Sequence, residues 1–297
     1  MIFPRPIQSL CTIRNVKMNG QNQNRTNSTK MTKADGSEEL NGIDRNGTDH
    51  SEFGSDGGFS AADRAKFAAA RACGEAEVCN GMKLGVGSGT TMKFFIGWLR
   101  AQHQQKLLSD IRCVPTSVQT RHWLLAANLP VFSPDELDQL DLAIDGADEV
   151  DEQLNCIKGG GGCLLQEKIV QSCAKRFVVI GGLDKFSQRL GQSFQMVPIE
   201  IAPIGYVPVQ RWIIEKYGGE CQLRMFKCSP VLTENHNFII DWKFPKSFAS
   251  EATDWDAVNR AILTIPGVAG TGLFIGVTDK AYFATPEGQI RCIHPKK

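Results

Sequence analysis

One short stretch carries most of the reactive side chains: Asp145-Gly-Ala-Asp148-Glu149-Val-Asp151, then Lys158-Gly-Gly-Gly-Gly162, then Glu167-Lys168. Carboxylates on a turn can hold hydroxyls. An ammonium beside a glycine run can stabilise an oxyanion, and a glutamate just inside a helix can act as a base. The set suits proton movement next to a sugar carbonyl. About sixty residues earlier lies a second glycine-rich turn with hydroxyls, Gly85-Val-Gly-Ser88-Gly-Thr90-Thr91. Its amides and hydroxyls could hold a phosphate where a helix begins. A sugar phosphate is the ligand that satisfies both motifs.

Each motif also has a plainer explanation. The 85–91 segment could be a simple strand-to-helix turn. It is not a nucleotide-hydrolase loop, because no Gly-Lys-Ser/Thr follows, and Thr90 breaks the Gly-x-Gly-x-x-Gly pattern of dinucleotide sites. Asp145 and Asp148 could be a helix cap or a solvated turn. Glu167 could be a surface residue favoured by the helix dipole. Glu149 and Asp151 are expected to be solvated. A metal site is disfavoured, because the motif has no histidine and Lys158 would compete with a cation. Four successive glycines at 159–162 are entropically expensive, and close approach of backbone to a ligand is the natural reason for them.

The elements that must position these groups follow from periodicity. Ser60 can cap a helix running to about Val78. A strand at Met82–Val86 leads into the hydroxyl turn. Met92, Phe95, Ile96 and Leu99 then repeat at helical spacing. Strands are expected at 111–114, 142–144 and 177–180, with helices at 117–128 and 164–174. Alternating strands and helices predict an open α/β fold, a Rossmann-like parallel sheet flanked by helices. The hydroxyl turn, Asp145 and the Gly181–Lys185 segment each follow a strand, so all three should line one edge of that sheet. From 198 to 270 a β-α-β-β-α grouping indicates a smaller α+β (ferredoxin-like) insert. Segments 272–277 and 280–284 are expected to rejoin the main sheet. The domains are therefore 59–197 plus 271–297 for the catalytic part and 198–270 for the insert.

Residues 1–58 differ in composition, being rich in Asn, Gly, Ser, Thr and Asp, and are expected to be disordered. The first 33 residues hold Arg5, Arg14, Lys17, Arg25, Lys30 and Lys33 but no acid, as an organellar transit peptide would. The alternative is a functionless extension. The chain has 297 residues, 42% hydrophobic and 22% charged, with a net charge of +1. That gives no electrostatic case for nucleic acid, and no apolar run approaches the ~20 residues of a membrane helix. The ten cysteines form no Cys-x-x-Cys pair and the five histidines are scattered, which suits reduced thiols in a cytoplasmic protein.

Taken together, the motifs resemble the type A ribose-5-phosphate isomerase family over about residues 60–295. The matching blocks are 85–91, Asp-Gly-Ala-Asp-Glu at 145–149, Lys-Gly-Gly-Gly with Glu-Lys at 158–168, and Asp-Lys followed by Leu-Gly at 184–191, with Pro-Gly-Val at 266–268 and Gly-Leu-Phe at 272–274. The resemblance implies interconversion of ribose 5-phosphate and ribulose 5-phosphate in the non-oxidative pentose phosphate pathway, without metal or organic cofactor. It implies Glu167 as the base working through an enediolate, with Lys158 and the amides of Gly159, Gly160 and Gly161 stabilising the oxyanion. Asp145 and Asp148, on the Gly146-Ala147 turn, would orient hydroxyls and help to open the furanose ring. Ser88, Gly89, Thr90, Thr91 and Lys185 would hold the phosphate. Gly162 replaces a small residue of the family pattern, a change expected to loosen the loop. The family also implies a homodimer or homotetramer.

Three other readings compete. An amino-sugar-phosphate isomerase would need a histidine-centred ring-opening site, and no histidine lies in the motifs. A coenzyme A transferase on a related fold is the second. The third is a non-catalytic sugar-phosphate sensor. Such sensors usually carry a helix-turn-helix domain, which the polar 1–58 segment cannot form.

Overall fold

The computed structural model describes residues 60–250 and 252–295. The extension at 1–58, expected to be disordered, lies outside the described residues. Helix α1 (Ala61–Glu77) begins where the Ser60 hydroxyl accepts the Asp63 N–H. Strand β1 (Lys83–Val86) runs through the hydroxyl turn into α2 (Thr90–Gln104). Strand β2 (Arg112–Pro115) is followed by α3 (Val118–Ala126), capped by Ser117. Strand β3 (Leu142–Asp145) is buried along its whole length. Two short strands, β4 (Glu149–Val150) and β5 (Cys156–Ile157), precede α4 (Leu164–Ser172) and β6 (Phe177–Gly182).

The next stretch runs β7 (Val197–Ile201), α5 (Tyr206–Tyr217), β8 (Glu220–Leu223), the hairpin β9 (Met225–Phe226) and β10 (Ser229–Pro230), β11 (Phe238–Lys243), α6 (Trp255–Leu263) and β12 (Val268–Thr271). The chain ends in β13 (Leu273–Phe274), β14 (Lys280–Ala284) and β15 (Ile290–Ile293).

The main sheet has the order β2-β1-β3-β6-β14-β15. Its first five strands are parallel, and β15 lies antiparallel to β14. Alternate side chains enter different cores, as the strand period requires. Leu142, Ile144, Val178 and Ile180 pack with Met92, Phe95, Ile96 and Leu99 of α2. Ala143, Phe177 and Val179 pack with Phe274, Ala281 and Phe283. Burial on both sides is what a parallel sheet needs. The chain goes outward from β1 to β2 and then crosses to β3 on the other side. The crevice between the carboxyl ends of β1 and β3 is therefore the topological switch point, where open α/β sheets bind ligands.

A second sheet has the order β12-β7-β11-β8, antiparallel throughout. With α5 and α6 this is the β-α-β-β-α-β ferredoxin-like arrangement. Its core includes Val209, Ile213, Trp242, Val258 and Ile262.

One expectation needs correction, and one strand was not read from the sequence. Segment 272–277 does not rejoin the main sheet: β13 pairs antiparallel with β5 in a three-stranded sheet, and only β14 returns. Three contacts hold the segment there. The Lys158 N–H donates to Gly272 O, the Gly272 N–H donates to Pro198 O, and Lys168 Nζ donates to Leu273 O while resting over the Phe274 ring. Strand β15, whose side chains are mostly exposed, carries no apolar alternation to announce it, and it makes the main sheet mixed.

Candidate active site

The three segments expected on one edge converge there. A cleft of about 400 Å³ is lined by Ser88, Gly89, Thr90 and Thr91 after β1, by Gly146, Ala147 and Asp148 after β3, by Lys158 to Gly161, by Glu167 on α4, and by Gly181, Gly182, Asp184 and Lys185 at the end of β6. Among the proposed site residues only Asp145 stays behind this lining. Two contributors were not read from the sequence, Ala62 and Lys66 of α1. They stand four apart on one helix face, but nothing in the sequence says that this face meets the sheet edge.

Asp145 is the last residue of β3 and is buried. Its Oδ1 accepts the N–H groups of Ser88 (3.0 Å) and Gly146 (2.7 Å), and its Oδ2 faces Lys158 Nζ at 2.9 Å. A Cβ on Gly87 would come within 1.9 Å of Asp145 Oδ1, so only glycine lets the β1 turn close on this carboxylate.

Lys158 follows β5 and is 3% exposed. Its Nζ donates to Gly146 O at 2.5 Å and lies 3.1 Å from Glu167 Oε2. Burial opposes its charge, but the carboxylates of Asp145 and Glu167 more than offset this and hold its pKa above the usual lysine value. The ammonium is therefore a fixed positive charge.

Glu167 is 7% exposed and projects from the first turn of α4. Its Oε2 accepts no aligned hydrogen bond, so its contact with Lys158 is ionic. Burial, reinforced by the Asp145 carboxylate, raises its pKa to about 7, against the pull of Lys158. A carboxylate with a pKa near neutrality and a free lone pair has the properties of a general base. Asp145 is also raised, by burial first, with Lys158 opposing.

The glycine run forms a turn closed by the Gly162 N–H donating to Gly159 O at 3.0 Å. Gly159 and Gly162 have φ of 101° and 86°, a region that side chains disfavour. Gly162 thus completes the turn, which corrects the expectation that it loosens the loop. The Gly160 N–H donates to Asp148 Oδ2 at 2.8 Å.

On the phosphate side, Gly89 is the N-cap of α2, so the first amides of that helix have no intrahelical partners. Ser88 Oγ shares a hydrogen bond with Thr116 Oγ1 at 2.7 Å. Lys185 is half-exposed, with Nζ 3.6 Å from Asp184 Oδ2. Lys66 of α1 lines the same cleft. Among the described residues no group of three or more His, Cys, Asp or Glu side chains could hold a metal ion.

Glu149 and Asp151 are not solvated. Glu149 is fully buried and accepts from the N–H groups of Gly191, Gln192 and Ser193 and from the hydroxyls of Ser187 and Ser193. Asp151 accepts from the N–H groups of Gln153 and Asn155 and from Asn155 Nδ2. Both anchor the loops behind the site, because converging amides replace the water a carboxylate would otherwise keep.

Residues 112–288 match the family model of ribose 5-phosphate isomerase A (phosphoriboisomerase A). A probable ribose 5-phosphate isomerase of Caenorhabditis elegans is 48% identical over 231 residues, 77% of this chain and 91% of that one. The ribose-5-phosphate isomerase of Homo sapiens is 45% identical over 235 residues, 78% of this chain and 74% of that one. A solved D-ribose-5-phosphate isomerase in complex with phospho-erythronic acid superposes with a TM-score of 0.73 at 34% identity, covering 78% of this chain and 99% of that one. The buried carboxylate–lysine–carboxylate chain thus sits at the switch point of a fold and sequence shared with these proteins, and the chain belongs to the ribose 5-phosphate isomerase A family.

Proposed function

We propose that the protein interconverts D-ribose 5-phosphate and D-ribulose 5-phosphate through an enediolate, a step of the non-oxidative pentose phosphate pathway. The observation that carries this is Glu167, a buried carboxylate with a pKa of about 7, set 3.1 Å from the Lys158 ammonium in the cleft.

The phosphate would lie against Ser88, Gly89, Thr90 and Thr91 at the start of α2, with Lys66 and Lys185 balancing its charge. That anchorage places C1 and C2 of the opened sugar near Glu167. Glu167 takes the proton from C2, and the C2–H electrons form the C1=C2 double bond of the enediolate. The carbonyl electrons move onto O1, where Lys158 and the Gly161 amide stabilise the charge. The proton on Glu167 is delivered to C1 as the carbonyl forms at C2, and O1 takes up the proton released from O2. Asp148 orients the hydroxyls. Asp145, with both oxygens occupied, holds Lys158 in line and reaches the sugar only through it.

Purified protein should convert ribose 5-phosphate with and without EDTA, and Glu167→Gln should slow the conversion by about 10² to 10⁴. Binding without turnover in the unaltered chain would favour the sensor reading instead. We also assign 59–197 with 271–297 to the catalytic domain and 198–270 to the small domain, supported by their separate sheets. A homodimer or homotetramer is supported by exposed Ile204, Met225, Phe226 and Leu232; light scattering tests it. Among the described residues no helix is long and apolar enough to cross a membrane. A cytoplasmic location, with the first 33 residues as an alternative targeting signal, is tested by imaging the full chain beside one lacking them.

A further inference from the structure

We propose that Arg224, fixed by Asp241, is the positioning residue that aims the Gly161 amide of the glycine run at the reacting oxygen. The inference rests on the isomerase reading above and extends it to a side chain of the ferredoxin-like layer, far from the motifs in sequence.

Arg224 follows β8 directly. Its Nε donates to Asp241 Oδ2 at 2.8 Å, and its Nη2 pairs with Asp241 Oδ1. This bidentate fork locks the plane of the guanidinium. The remaining nitrogen, Nη1, donates to two consecutive carbonyls, Gly159 O at 3.0 Å and Gly160 O at 3.1 Å. The side chains of Arg224 and Asp241 are only 16% and 15% exposed, so solvent screens these bonds weakly.

The geometry then dictates where the amides point. No peptide bond among the described residues is cis, and in a trans peptide the C=O and N–H point in opposite directions. With both carbonyls gathered on Arg224, the N–H groups of Gly160 and Gly161 must face away from it. The Gly160 N–H reaches Asp148, which lines the cleft, so the far side is the cleft side. The Gly161 N–H is turned the same way and has no partner among the described residues. Gly161 lines the cleft, and a Cβ built on it would meet nothing within 4 Å, so a ligand can approach this residue. A cation on a carbonyl oxygen also draws electron density from the peptide and strengthens its N–H as a donor. Arg224 therefore orients and polarises the Gly161 N–H offered to the enediolate oxygen, while the Gly160 N–H is held on Asp148. Lysine could not replace it, because a single ammonium has no fork to engage Asp241 and two carbonyls together.

The test compares the unaltered chain with Arg224→Met, Arg224→Lys and Asp241→Asn. Turnover of ribose 5-phosphate is measured beside calorimetric binding of two probes. Phospho-erythronic acid carries a carboxylate where the enediolate oxygen would lie, and ribitol 5-phosphate carries no such charge. Arg224→Met should lower kcat about 10- to 100-fold with little change in KM, the lower end of what a lost oxyanion donor costs. It should weaken phospho-erythronic acid by roughly tenfold or more and leave ribitol 5-phosphate nearly unaffected. Arg224→Lys should not rescue it. If Arg224→Met fails to fold, Asp241→Asn, which frees the guanidinium without removing it, should show the same split between the two probes. Unchanged kcat, or equal weakening of both probes, overturns the proposal and leaves Arg224 a structural contact. An unaltered chain that converts no ribose 5-phosphate overturns the isomerase reading itself, before any variant is compared.

Discussion

Replacing Asp145 by Asn should lower the pH at which the base ionises. Glu167 has a pKa of about 7 because of burial first and the Asp145 carboxylate second, with Lys158 opposing. Lys158 Nζ sits between them, 2.9 Å from Asp145 Oδ2 and 3.1 Å from Glu167 Oε2, so the two carboxylates are no more than about 6 Å apart. At an effective dielectric of ~20, like charges about 6 Å apart repel by roughly 3 kcal/mol, or about two pKa units. Relaxation reduces this, leaving a shift of about one to two units. Removing Asp145's charge also leaves Lys158 with Glu167 as its one carboxylate, which pushes in the same direction. Asparagine keeps the shape and can still accept the Ser88 and Gly146 amides. The assay is kcat/KM against pH. Its ascending limb should move from about 7 to between about 5 and 6, and the plateau should fall because a weaker base transfers the proton less readily. The substrate phosphate titrates near pH ~6 in both proteins, so the difference between the two curves is the readout. A limb that stays in place, or moves up, refutes the electrostatic coupling.

Other variants probe the rest of the site. Glu167→Gln should cut kcat by about 10² to 10⁴ while calorimetry still detects phospho-erythronic acid; turnover near normal would remove Glu167 as the base. The same variant should be more stable above neutral pH. The folded pKa of Glu167 is raised from 4.5 to about 7, so the folded state binds more protons in that window, and the contribution of this group is full below pH 4.5 and lost as pH rises through 7. Glutamine escapes that loss, which at pH ~8 amounts to about 1–3 kcal/mol; melting curves that differ equally at pH ~5 and ~8 would contradict it. Glu149→Ala leaves the Gly191, Gln192 and Ser193 amides without their acceptor and should cost about 3–5 kcal/mol in urea unfolding, with a loss below ~1 kcal/mol arguing that water replaces it. Gly87→Ala puts a methyl 1.9 Å from Asp145 Oδ1 and should remove activity in a chain that still folds; retained activity would mean that the turn can move aside.

The parts of the site that lie next to each other in sequence were legible there. Asp145, Asp148, Lys158 and Glu167 belong to one β-to-α excursion, and short connections after β1, β3 and β6 determine which loops share an edge. Long-range docking was not legible. Glu149 directly follows a cleft residue, Asp148, and is chemically identical to a solvated glutamate, and only the return of the 187–193 loop makes it a buried anchor. Lys66 comes from α1 and Arg224 from just after β8, and neither carries a local motif. Segment 272–277 was misassigned because an apolar run says that it is buried but not against which sheet.

The tie between α1 and β14 bears on the order in which the cleft is assembled. Glu77 of α1 bonds Lys280 and Tyr282 of β14, partners 203 and 205 residues away, and also pairs with Arg176. Helix α1 carries Lys66 into the cleft, and β14 pairs along its whole length with β6, whose end forms one cleft wall. Joining α1 to β14 closes a loop of more than 200 residues, and such distant pairing is slow to form. The small β-α-β-β-α-β layer, whose strands pair over much shorter separations, can form before the cleft has all its walls. The cleft that binds the sugar phosphate should therefore be among the later parts of the fold to form on refolding.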